Sequence, residues 1–184
     1  MENEIIKLKK GRYRFHIIAE LTRIESLDKE LPEDFEVRKY VSCGGFSSIG
    51  FIKFIADRTF IKELTVSTLR GGKKHLQVLD VLHNQGKIGK ITFIVGGIMK
   101  NDSDLGKSYG YYNDLTKVCE KNDWKVIVKN NHSKILLFDT EKGKFVIETS
   151  SNLNENPNME QFSFEKNEKL YEFYEKFLLK EVTA

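Results

Sequence analysis

The chain has 184 residues, 40% hydrophobic and 31% charged, which is enough apolar content for one domain with its own core and too much for a disordered segment. A formal net charge of +3 permits a polyanionic ligand without demanding one. The only long apolar-rich stretch, 49–55, is too short to cross a bilayer and contains Lys53, so no stable membrane association is expected. The acidic opening Met1-Glu2-Asn3-Glu4 does not read as a secretory leader. Cys43 and Cys119 lack CxxC spacing and read as small buried thiols, in keeping with a cytoplasmic protein.

Residues 1–16 carry Lys7, Lys9, Lys10, Arg12 and Arg14 among apolar positions, the pattern of either a basic edge strand or a loose arm. From 17 onward Ile18, Leu21, Ile24, Leu27 and Leu31 recur at helical spacing up to Pro32. Alternation over 35–41 predicts a strand, broken by Cys43-Gly44-Gly45, after which Ser47 or Ser48 can cap a helix over 49–57. A strand over 61–69 follows, and Arg70-Gly71-Gly72 turns into a helix over 73–85. Residues 90–95 read as a buried parallel strand, 96–110 as a polar surface loop, 111–121 as a helix and 124–128 as another strand. The strand–helix alternation is that of a parallel α/β unit.

The chemistry concentrates in 126–164. Apolar runs at 135–138 and 145–147 flank the turn Asp139-Thr140-Glu141-Lys142-Gly143, a hairpin pattern. A five-residue turn over 139–143 pairs Phe138 with Lys144, and so sets His132 opposite Ser150 and Lys134 opposite Glu148. His132 and Lys134 share parity and leave one face. Imidazole is a nucleophile and proton carrier near neutral pH, lysine is a fixed cation, and Ser150 and Asn152 are neutral donors. Together they suit a tetrahedral anion whose charge shifts during reaction, as at phosphorus. No carboxylate cluster suggests a metal pair, and no cofactor is expected. After a loop at 154–157, residues 159–164 predict a strand. Leu170, Phe173, Tyr174, Phe177 and Leu178 predict a closing helix whose stripe packs on the core.

The ordered set His132-x-Lys134-x4-Asp139, then Thr149-Ser150-Ser151-Asn152, then Glu160, resembles the HKD signature of the phospholipase D superfamily, with Thr149 where a glycine is usual. The order of elements is similar too, over roughly 48–180. The resemblance implies an α/β fold with a mixed sheet flanked by helices and a catalytic domain over 48–184. Residues 1–47 form an N-terminal extension of unassigned role. His16, His75 and His83 have no lysine two residues on, so the chain holds one such motif. The family's chemistry uses two, which implies a homodimer with a composite site on its two-fold axis.

The implied activity is that of a metal-independent phosphodiesterase working through a phosphohistidine, a nuclease with DNA the favoured substrate. The alternatives are a phospholipid-hydrolysing enzyme of the same type and a non-catalytic DNA-binding module on the same fold. The implied catalytic residues are His132, Lys134, Asp139, Ser150, Asn152 and Glu160, with Glu160 setting the histidine tautomer. Asp139 has the opposite parity to Lys134 and could equally close the turn. Glu148 reads as a structural partner. Arg70-Gly71-Gly72-Lys73-Lys74 reads as either a phosphate-receiving helix start or a plain connecting turn. Tyr109, Tyr111 and Tyr112 could stack on bases or simply pack.

Overall fold

The computed structural model describes residues 12–18, 28–107, 110–154 and 157–179. Eight strands form a single mixed sheet: β1 (Arg12–Ile18), β2 (Glu36–Ser42), β3 (Ile61–Thr68), β4 (Ile88–Gly96), β5 (Lys125–Lys129), β6 (Ile135–Thr140), β7 (Gly143–Thr149) and β8 (Glu160–Lys166). Their order across the sheet is β1-β2-β8-β7-β6-β3-β4-β5. Strands β3, β4 and β5 run parallel, β6 to β8 form an antiparallel meander, and β1 lies parallel to β2.

Side-chain alternation sends the apolar residues of β4, β6 and β7 to both faces. One face carries Leu64, Val66, Phe93, Leu136, Phe138, Phe145, Phe162 and Phe164. It is covered by α1 (Ile49–Ala56), α2 (Lys73–Asn84), α3 (Gly97–Asp104) and α4 (Tyr112–Asn122). The other carries Ile94, Ile135, Leu137 and Val146 under α5 (Glu168–Leu179). Helix α1 is apolar on nearly every side, and Phe51 meets Tyr40, Phe46, Phe162 and Phe164 with ring centroids 5.1–5.7 Å apart. Such ring pairs add about 0.5–1.5 kcal/mol each beyond area burial. Ser47 Oγ and His75 Nε2, 2.8 Å apart and buried, tie the approach to α1 to helix α2.

Several sequence expectations change here. Residues 17 and 18 belong to β1, the edge strand, and 28–32 are not helical; 1–11 and 19–27 lie outside the described residues. The stretch 96–110 is not all loop, because Gly97–Asp104 forms α3, closed at its C-terminal side by Ser103 Oγ donating to the Gly110 carbonyl at 2.6 Å. Ser48 holds the N-cap position of α1 without a capping side-chain bond, since the serine that finds a partner is Ser47. Cys119 is buried as expected but Cys43 is exposed. On α5 the buried residues are Tyr171 and Leu178, whereas Phe173 and Phe177 are 55% and 63% exposed, so the stripe is rotated away from the expected one.

The hairpin is tighter than its composition suggested. Thr140 pairs with Gly143 and Asp139 with Lys144, leaving a loop of two residues, Glu141 and Lys142. Thr140 Oγ1 accepts from the Lys142 amide at 3.1 Å and donates to the Gly143 carbonyl at 2.7 Å, a side-chain-closed turn that needs no further residue. Gly143 has φ +116°, a conformation open to glycine. The register therefore slips by one from the expected pairing: Glu148 faces Ile135, and the Thr149 amide bonds to the Lys134 carbonyl at 3.1 Å. His132 precedes β6 and has no strand partner in that ladder.

Strand β2 of the N-terminal stretch pairs with β8 along six residue pairs, and Tyr40 sits in the main core. Its polar neighbours form a buried network. Arg38 bonds both oxygens of Glu36 at 3.1–3.2 Å and lies 3.3 Å from Asp28, which accepts from the Tyr40 hydroxyl at 2.6 Å. Burial, reinforced by the Asp28 carboxylate, pushes the Tyr40 hydroxyl well above the usual tyrosine range.

Candidate active site

Registers align the ends of seven strands on one edge of the sheet. Ser42 stands beside Glu160, Phe162 beside Thr149, Glu148 beside Ile135, Ile135 beside Ser67, Thr68 beside Val95, and Gly96 beside Lys129. This is the carboxyl edge of the parallel strands β3 to β5, where α/β sheets take their ligands. Parity then collects the site. Lys134 continues the Leu136–Phe138 face of β6, and Glu160 continues the Phe162–Phe164 face of β8, both toward α1–α4.

The expected residues converge there with one exception. Lys134 Nζ lies 3.3 Å from His132 Nδ1 and donates to the His132 carbonyl at 2.7 Å. Ser150 Oγ donates to Glu160 Oε2 in a short hydrogen bond and accepts from the Gln161 amide at 3.1 Å. Glu160 is buried, and its charge acts on Lys134. Partial burial holds the Lys134 ammonium below the ordinary lysine range, and the Glu160 carboxylate opposes that shift. Asn152 Oδ1 lies 3.5 Å from Thr68 Oγ1 at the end of β3.

Asp139 stands apart. It sits four residues along β6 from Ile135, about 13 Å at a strand's rise. It faces the α5 side and lies 3.9 Å from Lys62. Glu148 accepts from the Tyr174 hydroxyl of α5, a structural role as expected. Tyr111 and Tyr112 pack against the main core, and Tyr109 lies outside the described residues. Thr149 keeps an ordinary backbone conformation. Its hydroxyl donates to the Gln161 carbonyl at 2.8 Å and accepts from the Ser151 amide at 2.9 Å, so it braces the turn that presents Ser150.

The residues that hold this constellation were not singled out in the sequence. Asn131 Nδ2 donates to the carbonyls of Ile94 and Thr68 and to Ser67 Oγ at 3.0–3.3 Å, while its Oδ1 accepts from the Ser133 amide and hydroxyl. It pins the segment carrying His132 across the ends of β3 and β4. A side chain at Gly96 would stand 2.9 Å from the Asn131 carbonyl and 2.6 Å from Leu69 Cδ1, so that approach requires a glycine. The available signal was the run Asn130-Asn131-His132-Ser133, whose amides and hydroxyl can satisfy a non-strand backbone. Among the described residues, no three His, Cys, Asp or Glu side chains come together as a metal-binding group.

Several solved structures share this architecture. Polyphosphate kinase from Porphyromonas gingivalis superimposes with a TM-score of 0.56 at 12% identity, over 79% of this chain and 27% of that one. Phosphatidylserine synthase from Haemophilus influenzae Rd KW20 does so with a TM-score of 0.50 at 18% identity, over 76% of this chain and 36% of that one. The chain thus spans only about a quarter to a third of those proteins' length. No family model and no curated protein matches the sequence itself. The fold is the phospholipase D-like α/β fold, a mixed sheet flanked by helices.

Proposed function

We propose that the chain is a phosphodiesterase of phospholipase D type that cuts nucleic acid, DNA in preference, at a composite site shared by two copies. The carrying observation is the convergence of His132, Lys134, Ser150, Asn152 and Glu160 on one strand edge of a fold of this type. The names of both structural neighbours, a polyphosphate kinase and a phosphatidylserine synthase, are names of phosphate chemistry and support phosphoryl transfer.

His132 of one copy attacks phosphorus. A nitrogen–phosphorus bond forms, the bond to the leaving oxygen breaks, and that oxygen takes a proton from the second copy's imidazole. The imidazole, now neutral, takes a proton from water as its oxygen attacks phosphorus and the phosphohistidine bond breaks. Lys134 and Asn152 stabilise the nonbridging oxygens, joined by Ser150 once its hydroxyl proton turns from Glu160 to the substrate, a role that needs no metal. Glu160, which holds the Ser150 hydroxyl and lies near Lys134, orients both donors.

The test is a substrate panel in EDTA, with wild type and His132→Asn compared on single- and double-stranded DNA, RNA, bis-p-nitrophenyl phosphate and phosphatidylcholine vesicles. Cleavage of DNA that persists in chelator and disappears in the variant is expected. Cleavage of the vesicles alone would establish the phospholipid reading. DNA binding without any turnover would establish a non-catalytic module.

A further inference from the structure

We propose that Ser42, the last residue of β2, is a positioning residue of the phosphodiesterase site, donating to the Glu160 carboxylate when Ser150 turns to the substrate. Ser42 is fully buried, and its Oγ has no hydrogen-bond partner among the described residues. A buried hydroxyl in that state carries a desolvation cost with nothing to offset it. The cost is accounted for if a second arrangement of the neighbouring groups uses the hydroxyl. The sheet sets it beside the carboxylate. In the antiparallel ladder of β2 and β8, Tyr40 pairs with Phe162 and Ser42 with Glu160. Tyr40 and Phe162 both enter the main core, so by alternation Ser42 and Glu160 leave the same face, two residues nearer the site edge. Side chains paired in this way have Cβ atoms about 4.5–5.5 Å apart, a gap that a turn about χ1 of serine and the torsions of glutamate can close. The strand ends are also held together, since a side chain at Gly44 would stand 2.5 Å from the Pro157 carbonyl oxygen.

The second arrangement arises in the reaction itself. In the free protein Ser150 Oγ donates to Glu160 Oε2. Stabilising a nonbridging oxygen takes that proton away from Glu160, whose buried carboxylate must still support the Lys134 ammonium. Whatever other groups share the carboxylate, its donors fall by one at that moment. Ser42 is the hydroxyl in the adjacent ladder position, and it has no bond to break before it turns. The bond from Ser150 to Glu160 is then replaced by one from Ser42, and the substrate gains Ser150 as a donor without leaving the carboxylate short. A hydrogen bond to a charged group is among the stronger ones, so the replacement bears directly on the barrier. The inference rests on the phosphodiesterase reading and adds to its site a residue from the N-terminal stretch.

The test compares Ser42→Ala with wild type by thermal denaturation, by affinity for vanadate and by kinetics on bis-p-nitrophenyl phosphate. The free variant should be as stable as wild type or more so, because the hydroxyl removed made no bond. Vanadate affinity and kcat should each fall about tenfold, the loss of one hydrogen bond to a charged group, with KM little changed. A Ser150→Ala background removes the Ser150 donor from Glu160 even in the free protein, so Ser42 is already engaged there. In that background Ser42→Ala should lower the melting temperature by about 2–4 °C. Such a change of sign between backgrounds is not expected of a residue that only packs. Ser42→Cys, close to serine in shape and a weak donor, covers the case in which the alanine variant fails to fold, and should show the same losses in kcat and vanadate affinity. Wild-type kcat and vanadate affinity in the folded variants would overturn the role of Ser42 alone. A loss of stability in Ser42→Ala with Ser150 intact would overturn it too, by making the hydroxyl structural. No vanadate binding and no turnover in wild type would overturn the role together with the phosphodiesterase reading.

Discussion

Lys134 Nζ sits 3.3 Å from Nδ1 of His132. An ammonium has only donors, so Nδ1 must be the acceptor, and a neutral imidazole then carries its proton on Nε2. Attack on phosphorus through Nε2 needs the reverse, a bare Nε2. Lys134 must therefore leave Nδ1 for a substrate oxygen before attack, which couples substrate binding to the tautomer. Nitrogen NMR of the free protein should show His132 protonated at Nε2, and saturating vanadate should move that proton to Nδ1. An unchanged tautomer with vanadate bound would break the coupling.

Removing either member of the pair should be severe for rate and mild for stability, because both lie at the exposed edge. His132→Asn should abolish turnover, and Lys134→Ala should cost on the order of a hundredfold or more in kcat. Mixed dimers of wild type and His132→Asn should be nearly inactive in full turnover. Light scattering should report about twice 21.4 kDa for the active species.

Beside the arm that loss of the proton-donating imidazolium must give, Lys134 is expected to contribute an alkaline arm of its own to the rate profile. Burial lowers its pKa, so the ammonium is lost as pH rises through a value below that of an ordinary lysine, and kcat/KM falls with it. Glu160 acts in the opposite direction and holds the pKa up. Glu160→Gln should therefore shift the arm to lower pH, while Lys134→Arg should push it beyond the accessible range. An arm that stays put in both variants would assign it to another group.

Gly96 is where backbone spacing should matter most. Gly96→Ala would press its methyl against the Asn131 carbonyl and displace the segment carrying His132. A stability loss of about 1–3 kcal/mol is expected from overpacking. A fall in kcat of about tenfold to a hundredfold should follow from misplacement. Gly97→Ala, whose methyl would meet nothing within 4 Å, is the control. Thermal denaturation and steady-state kinetics on the two variants separate the effects.

Far from that edge, Arg38→Ala would take a cation away from the buried carboxylates of Asp28 and Glu36. The expected cost is about 3–5 kcal/mol by urea denaturation, with normal kcat for the folded fraction at low temperature. A loss of kcat without a loss of stability would tie this network to the site.

The central strands and the motif were legible because each rests on local pattern. Residues 61–69 and 90–95 are dense in β-branched and aromatic residues, and His132, Lys134, Ser150, Asn152 and Glu160 keep a readable order. The slip of one in the hairpin was not legible, since it depends on Thr140 closing the turn on itself. Helix α3 was hidden by polar composition, and part of what holds that stretch is tertiary: Asp102 is bonded by Arg70, which follows β3. The rotation of α5 follows from Tyr171 burying where Phe173 was expected, a choice between adjacent faces that spacing alone leaves open. The Asn131 Nδ2 group donates to residues more than thirty positions away, so no window of sequence contains those bonds.

The hairpin turn at Glu141 and Lys142 has a practical consequence. It lies at the edge of the sheet opposite every proposed catalytic residue except Asp139, and both of its residues are exposed. A dye or purification handle attached there would project away from bound substrate, and a short inserted peptide would extend β6 and β7 outward without crossing the site. The molecule thus offers a reporter position fixed by the same two strands that lead to the proposed catalytic residues at their far ends.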